Sequence, residues 1–210
     1  MSLLIKYPSQ NLHLILLLNC YLFHLLYHLM IGSPFSHTFM KQKDYLLWKV
    51  GELSRLGARY SESPRKTHIG TNLRTPYLQT LAQYRRLFYD DGVKVIRGEL
   101  LGYLNRLALA VWFMDDGTLR KRGKGLPSFI RLMTEGFTLS ENELLLNILY
   151  TRFGITGHIE KRHLDKNRYG SKQTYYLELY TNMARRFASL VEPFIHSTMR
   201  YKLSNLQSSF

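Results

Sequence analysis

Acidic residues are scarce in this chain, and before Asp44 there are none. Over 210 residues, 15 Asp and Glu stand against 29 Lys and Arg, a formal net charge of +14. A field of that sign attracts polyanions and raises encounter rates with nucleic acid. The plainer alternative is a basic protein suited to organellar or ribosomal surroundings without specific binding. Cysteine is nearly absent too: Cys20 stands alone, which excludes a disulfide framework and any cysteine-rich zinc site. The chemistry must therefore come from oxygen, nitrogen and charge. What is present is a hydrophobic content of 45%, enough to build a core for one domain or two small ones and too much for a disordered tail.

From Asn11 to Gly32 the chain is mostly leucine, tyrosine and isoleucine, yet it includes His13, Asn19, His24 and His28. It is long enough to span a bilayer. A core helix, a membrane or targeting segment preceded only by Lys6, and translated debris are the three readings. His24 and His28 share a helical face, but with no third ligand in view a structural role is favoured. Ser36 to Gln42 is strand-like, and Lys43 to Leu56 has apolar residues at helical spacing before a stop at Gly57. Ala58 to Thr67 and Asn72 to Leu81 read as strands around the turn His68-Ile69-Gly70-Thr71. A helix from Gln79 to Tyr89 leads into a turn, Asp90-Asp91-Gly92, and then Lys94.

The second half repeats this order around Arg106 to Leu119. Apolar residues fill Leu107 to Met114, small Ala108 and Ala110 permit close approach of a partner helix, and Asp115-Asp116-Gly117 follows. Gly117 is expected at positive φ, ending the helix. Carboxylates at a helix C-terminus oppose the macrodipole, and the commonest cause that justifies such a cost is a divalent cation. Next come a basic loop (Arg120, Lys121, Arg122, Lys124), a strand from Ser128 to Phe137, and a helix from Ser140 to Phe153 with Ser140 and Glu143 as a capping box. Gly154 closes that helix. His158 to His163 and Thr174 to Tyr180 form a hairpin around Asp165 to Gln173, Thr181 to Phe194 is a helix, and Met199-Arg200-Tyr201-Lys202-Leu203 ends the pattern. Lys94 and Lys202 lie 108 residues apart (202 minus 94), the mark of an internally duplicated unit.

Leu109-Ala110-Val111-Trp112-Phe113-Met114-Asp115-Asp116-Gly117 resembles the signature helix of the LAGLIDADG homing endonucleases. Its Trp-Phe-Met-Asp-Asp-Gly spelling is similar to the branch typified by the endonuclease of the yeast mitochondrial large-ribosomal-RNA intron. Lys41 to Lys49, Gly92 to Ile96 and Met199 to Leu203 agree with the same branch, so the resemblance covers about residues 36 to 203. It implies an α+β protein of duplicated αββαββα units, the first incomplete, whose two antiparallel sheets form a basic saddle over double-stranded DNA. The implied divisions are 1–35, an apolar segment standing for a degenerate first signature helix; 36–101, the rest of the first unit; 102–203, the second unit; and 204–210, a tail.

By the same resemblance the protein is a site-specific double-strand DNA endonuclease encoded in an organellar intron, mitochondrial or alternatively chloroplast. The resemblance implies a pseudo-symmetric monomer, in preference to a homodimer, working with Mg²⁺ and without a small-molecule substrate. Asp116 is the implied metal ligand, Lys94 and Lys202 are the implied lysines near the phosphates, and Ala108, Ala110 and Met114 are the helix-packing residues. Strand alternation adds Arg131, Lys161, Arg162, Lys172 and Gln173, with Arg59, Lys66 and Arg74, as DNA-contact candidates beside Arg120, Lys121 and Arg122. For each, a solvated basic face is the alternative. The family pattern requires one aspartate from each half at the end of its signature helix, and the first half has none at that place. Gly32-Ser33 reads as a remnant after a lost aspartate, with Ile31 in the ligand position. Glu135, where the branch often has glutamine, is read either as an extra ligand or as a source of phosphate repulsion. A splicing maturase that binds intron RNA, or a decayed frame, are the alternative functions.

Overall fold

The computed structural model describes residues 43–64, 69–74, 76, 88–121, 128–162 and 173–204. The apolar segment with Cys20, His24, His28, Ile31 and Gly32-Ser33, the strand expected at 36–42, the helix span expected at 79–87, and Lys66, Arg122, Lys124 and Lys172 lie outside the described residues. Among the described residues no helix is long and apolar enough to cross a membrane.

The second unit is a full αββαββα succession. Helix α2 (Arg106–Asp116) starts at Asn105, whose side-chain oxygen accepts from the Ala108 N–H at 2.8 Å. Every residue from Ala108 to Met114 is buried, so the helix has no polar face and forms the centre of the core. The chain passes straight into β5 (Gly117–Lys121), which pairs with β6 (Ser128–Met133). Helix α3 (Leu139–Phe153), strands β7 (His158–Arg162) and β8 (Thr174–Tyr180), and helix α4 (Thr181–Val191) complete the unit. The strands form one antiparallel sheet in the order β5-β6-β8-β7. Ile130, Leu132, Leu177 and Leu179 alternate onto its helix-covered face, each 0% exposed. Full burial of such side chains contributes roughly 1.5–3 kcal/mol apiece. Phe113 of α2 meets Phe187 of α4 edge-on, ring centroids 5.7 Å apart, which locks the central helix to the last one.

Of the first half, the described residues give helix α1 (Lys43–Glu52) and the antiparallel pair β1 (Arg59–Pro64) and β2 (Ile69–Arg74). A further short hairpin joins β3 (Tyr89–Asp90) to β4 (Val93–Lys94). Asp91 (φ 43°) and Gly92 (φ 80°) form its two-residue turn in the left-handed region, which Asp-Gly favours.

Several local expectations shift. Helix α1 ends at Glu52, and Ser54–Leu56 is a 3₁₀ turn before Gly57 at φ 71°. Ile69, Gly70 and Thr71, expected in a turn, belong to β2, where Thr71 pairs with Glu62 and is buried. Tyr89 is in a strand, not at a helix end. Arg120 and Lys121 are not in a loop but in β5, paired with Phe129 and Ser128. The capping box sits two residues earlier than Ser140 and Glu143. Thr138 is the N-cap, its side chain accepting from the Glu141 N–H while Glu141 Oε2 accepts from the Thr138 N–H at 2.8 Å. Both positions satisfy the S/T-x-x-E pattern, and the extended backbone at Thr138 (φ −68°, ψ 169°) selects between them.

Candidate active site and nucleic-acid interface

Helix α2 brings Asp115 and Asp116 to its C-terminal tip, where lysines from three other parts of the chain gather. Lys49 on α1 donates to Asp115 Oδ1 at 2.6 Å, and the two side chains are only 4% and 11% exposed. Lys202 donates to the carbonyls of Met114 (2.6 Å), Gly117 (2.9 Å) and Phe113 (3.2 Å). It therefore caps the helix end, donating to carbonyls of its last turn and offsetting the dipole. The cost of acid at this helix end is thus answered by ammonium groups.

Lys94 reaches the same region from β4. Burial pushes its amine down to about 8, against the opposing pull of Asp116 and then Asp115. Burial also lowers Lys202, again opposed by Asp115 and Asp116. The strand carrying Lys94 is tied to α3, since Ile96 N–H donates to Glu141 Oε1 at 2.9 Å. One carboxylate thus serves the helix cap with one oxygen and holds the Lys94 segment with the other.

Gly117 is not at positive φ; its φ of −93° and ψ of 153° are ordinary for a strand. Its necessity is steric. A Cβ there would lie 2.2 Å from Phe113 Cδ2 and 2.7 Å from the Phe113 carbonyl oxygen. Without a side chain at 117 the strand can leave the helix immediately.

Ala108, Ala110 and Met114 are buried as expected for helix packing, at 2%, 0% and 1% exposure. Met114 Sδ accepts from the His196 N–H at 3.3 Å. The partner signature helix expected for them falls outside the described residues.

The open face of the four-stranded sheet holds a second cluster. Cross-strand register aligns Thr118, Arg131, Glu178 and His158 in one row, Arg120, Phe129 and Tyr180 in another, and Met133, Tyr176 and Glu160 in a third. Arg120, Arg131 and Arg162 thus share this face. Lys161 does not: it pairs with Tyr175 in the register of Ile159 and Leu177, on the helix side. Adjacent residues of a strand point to opposite faces, so Lys161 and Arg162 cannot both contact one ligand from this strand. Gln173 donates to the carbonyls of Arg162 (3.3 Å) and Thr174 (3.1 Å). Arg162 also forms an ion pair with Glu135, so Glu135 is engaged by a cation. In the first half, Arg59 and Arg74 are directly opposite across β1 and β2, both exposed. Like charges in that position repel unless a polyanion lies over them.

Residues 30–187 match the LAGLIDADG DNA endonuclease family. The chain belongs to that family. It is 30% identical over 197 residues to the probable intron-encoded endonuclease 1 of Wickerhamomyces canadensis, covering 82% of this chain and 79% of that protein. It is 29% identical over 171 residues to the cytochrome b mRNA maturase bI2 of Debaryomyces hansenii, covering 77% of this chain and 60% of the maturase. The chain spans 38% to 60% of the length of several curated relatives that it matches. In fold it is similar to the homing endonuclease I-WcaI bound to its DNA recognition sequence, with a TM-score of 0.64 at 21% identity over 92% of this chain and 85% of that one.

Three residues that the sequence did not single out contribute to these two clusters: Lys49 at the tip of α2, and Glu178 and Tyr176 on the open sheet face. Lys49 lies in a stretch matched to the family, yet nothing local marks it as the partner of Asp115. Glu178 and Tyr176 alternate with Leu177 and Leu179, so their face was readable from β8 itself, but their engagement with Arg131 was not.

Among the described residues no three His, Cys, Asp or Glu side chains cluster as a metal cage. Mg²⁺ is commonly held by one or two carboxylates, with phosphate oxygens and water completing its shell. Asp115 is bound to Lys49, and Asp116 is the neighbouring hard-oxygen donor. That donor set fits one carboxylate ligand for Mg²⁺.

Proposed function

We propose that this LAGLIDADG protein is a site-specific endonuclease for double-stranded DNA, encoded in a mitochondrial intron and dependent on Mg²⁺. The observation that carries the reading is the tip of α2, where Asp115 and Asp116 meet Lys49, Lys94 and Lys202 beneath a sheet bearing arginines. Asp116 would hold the metal, which when bound activates water and stabilises the attacking and leaving oxygens of the phosphodiester. Lys94 places a partly desolvated cation beside Asp116 and offsets negative charge developing on the phosphate. Lys202 fixes the end of α2, and Lys49 keeps Asp115 turned toward α1. Arg120, Arg131 and Arg162 of the second sheet, with Arg59 and Arg74 of the first hairpin, contact the duplex.

The test is cleavage of the intronless version of the host gene by purified protein with Mg²⁺. Cutting of both strands, abolished in Asp116→Asn, supports the full reading; nicking of one strand indicates a site with one working carboxylate. A second reading is favoured by similarity to the bI2 maturase, namely binding of intron RNA without cutting. RNA binding with no cleavage of any duplex would sink the nuclease assignment.

A further inference from the structure

The centre of the open sheet face is not simply basic. Arg131 donates from Nε (3.0 Å) and Nη2 (2.6 Å) to Glu178 Oε1, and its guanidinium lies 4.0 Å from the centroid of the Tyr176 ring. Tyr180 donates to Glu178 Oε2 at 2.6 Å, which fixes the carboxylate from its other side. Glu178 is 7% exposed in its side chain and Arg131 23%. A surface that only grips phosphate has no use for a buried carboxylate in its middle, because that charge repels the backbone of the ligand. A carboxylate that immobilises an arginine does have a use.

A guanidinium carries five N–H donors in a rigid fork. Glu178 takes one from Nε and one from Nη2, so the edge formed by Nη1 and the second Nη2 proton is the one left; among the described residues Nη1 makes no hydrogen bond. Two parallel donors on that edge match O6 and N7 of guanine in the major groove of B-form DNA. Stacking on Tyr176 and the Glu178 contacts fix the fork before binding, which reduces the entropy lost on contact.

We propose that Arg131 is a specificity-determining residue that reads a guanine in the major groove, with Glu178 as its positioning residue. This rests on the duplex-DNA reading above. A-form RNA presents a deep, narrow major groove that such a side chain cannot enter, so the target is DNA.

The test is selection of bound duplexes from a random DNA library by the full chain and its variants, with binding measured across salt concentrations. The wild type should select a motif with guanine fixed at one position. Arg131→Lys keeps the charge and loses the fork, so it should lose roughly 5- to 150-fold of the preference for that guanine while its salt dependence stays the same. Glu178→Gln, nearly isosteric, should weaken the preference at the same position and no other. Retention of the guanine preference by Arg131→Lys overturns the proposal, as does a uniform loss of affinity across all sequences. If the wild type selects no duplex sequence, the DNA-endonuclease reading fails together with this one; selection by the wild type with unchanged selection by both variants sinks this inference alone.

Discussion

Lys49 of the first unit and Asp115 of the second, 66 residues apart in the chain, are joined by a 2.6 Å ion pair that is almost fully buried. It connects α1 to the tip of the signature helix, so the geometry of the carboxylates depends on the first unit being in place. Lys49→Ala removes the hydrogen-bonded cation of a buried carboxylate, which costs about 3–5 kcal/mol. A large fall in the midpoint of urea unfolding is expected. Changing Lys49 and Asp115 together to apolar residues of similar volume should recover much of it. A midpoint unchanged in Lys49→Ala would show that the pair contributes nothing to stability.

Lys94 makes stability depend on pH in an unusual window. Its amine is held at about 8 in the folded protein, against roughly 10.4 for an unperturbed lysine. Between these values the unfolded chain binds a proton that the folded chain has released, so the unfolding free energy rises with pH. Below about pH 8 both forms are charged and the burial cost is present in full. The stability of the wild type relative to Lys94→Met should therefore increase from pH 7.5 to 9.5, as read by unfolding midpoints at each pH. A constant difference would contradict the lowered value.

Gly117→Ala tests whether glycine is there for backbone freedom or for space. The backbone at 117 suits any residue, so a conformational explanation predicts little effect. The steric explanation predicts roughly 1–3 kcal/mol of strain, because the neighbouring Phe113 carbonyl is held in the helix and cannot move aside. Thermal melting of the single variant separates the two.

The helix cap gives a paired comparison. Thr138→Ala should cost about 1 kcal/mol, whereas Ser140→Ala, at an exposed first-turn position, should stay within about 0.5 kcal/mol. Equal losses in both would place the cap elsewhere. Glu141→Gln should weaken the cap and loosen the Ile96 contact at once, visible as faster amide exchange at Ile96.

The fold was legible where side chains report on their own neighbours. The apolar run of α2, the alternation of β8 and the Asp-Gly turn at 91–92 each follow from spacing along a few residues, and the structure has them close to the expected positions. A pattern that occurs twice within a few positions does not fix a boundary: Thr138 and Ser140 both open an S/T-x-x-E frame, and the extended backbone at Thr138 selects the first. Gly117 does end α2, but for clearance rather than for positive φ, and a sequence cannot distinguish a glycine needed for φ from one needed for clearance.

By itself the sequence determined that acids and glycine follow an apolar helix, that basic residues populate the strands, and that the chain repeats its order. Those properties reside in local chemistry and periodicity. Only the tertiary structure decided which charges meet: Lys49 on Asp115, Lys202 on the end of α2, Lys94 beside Asp116, and Glu178 on Arg131. Each of these pairs is made by elements packed together from distant parts of the chain. Their energies depend on burial and on distances of a few ångströms, neither of which is written in residue spacing.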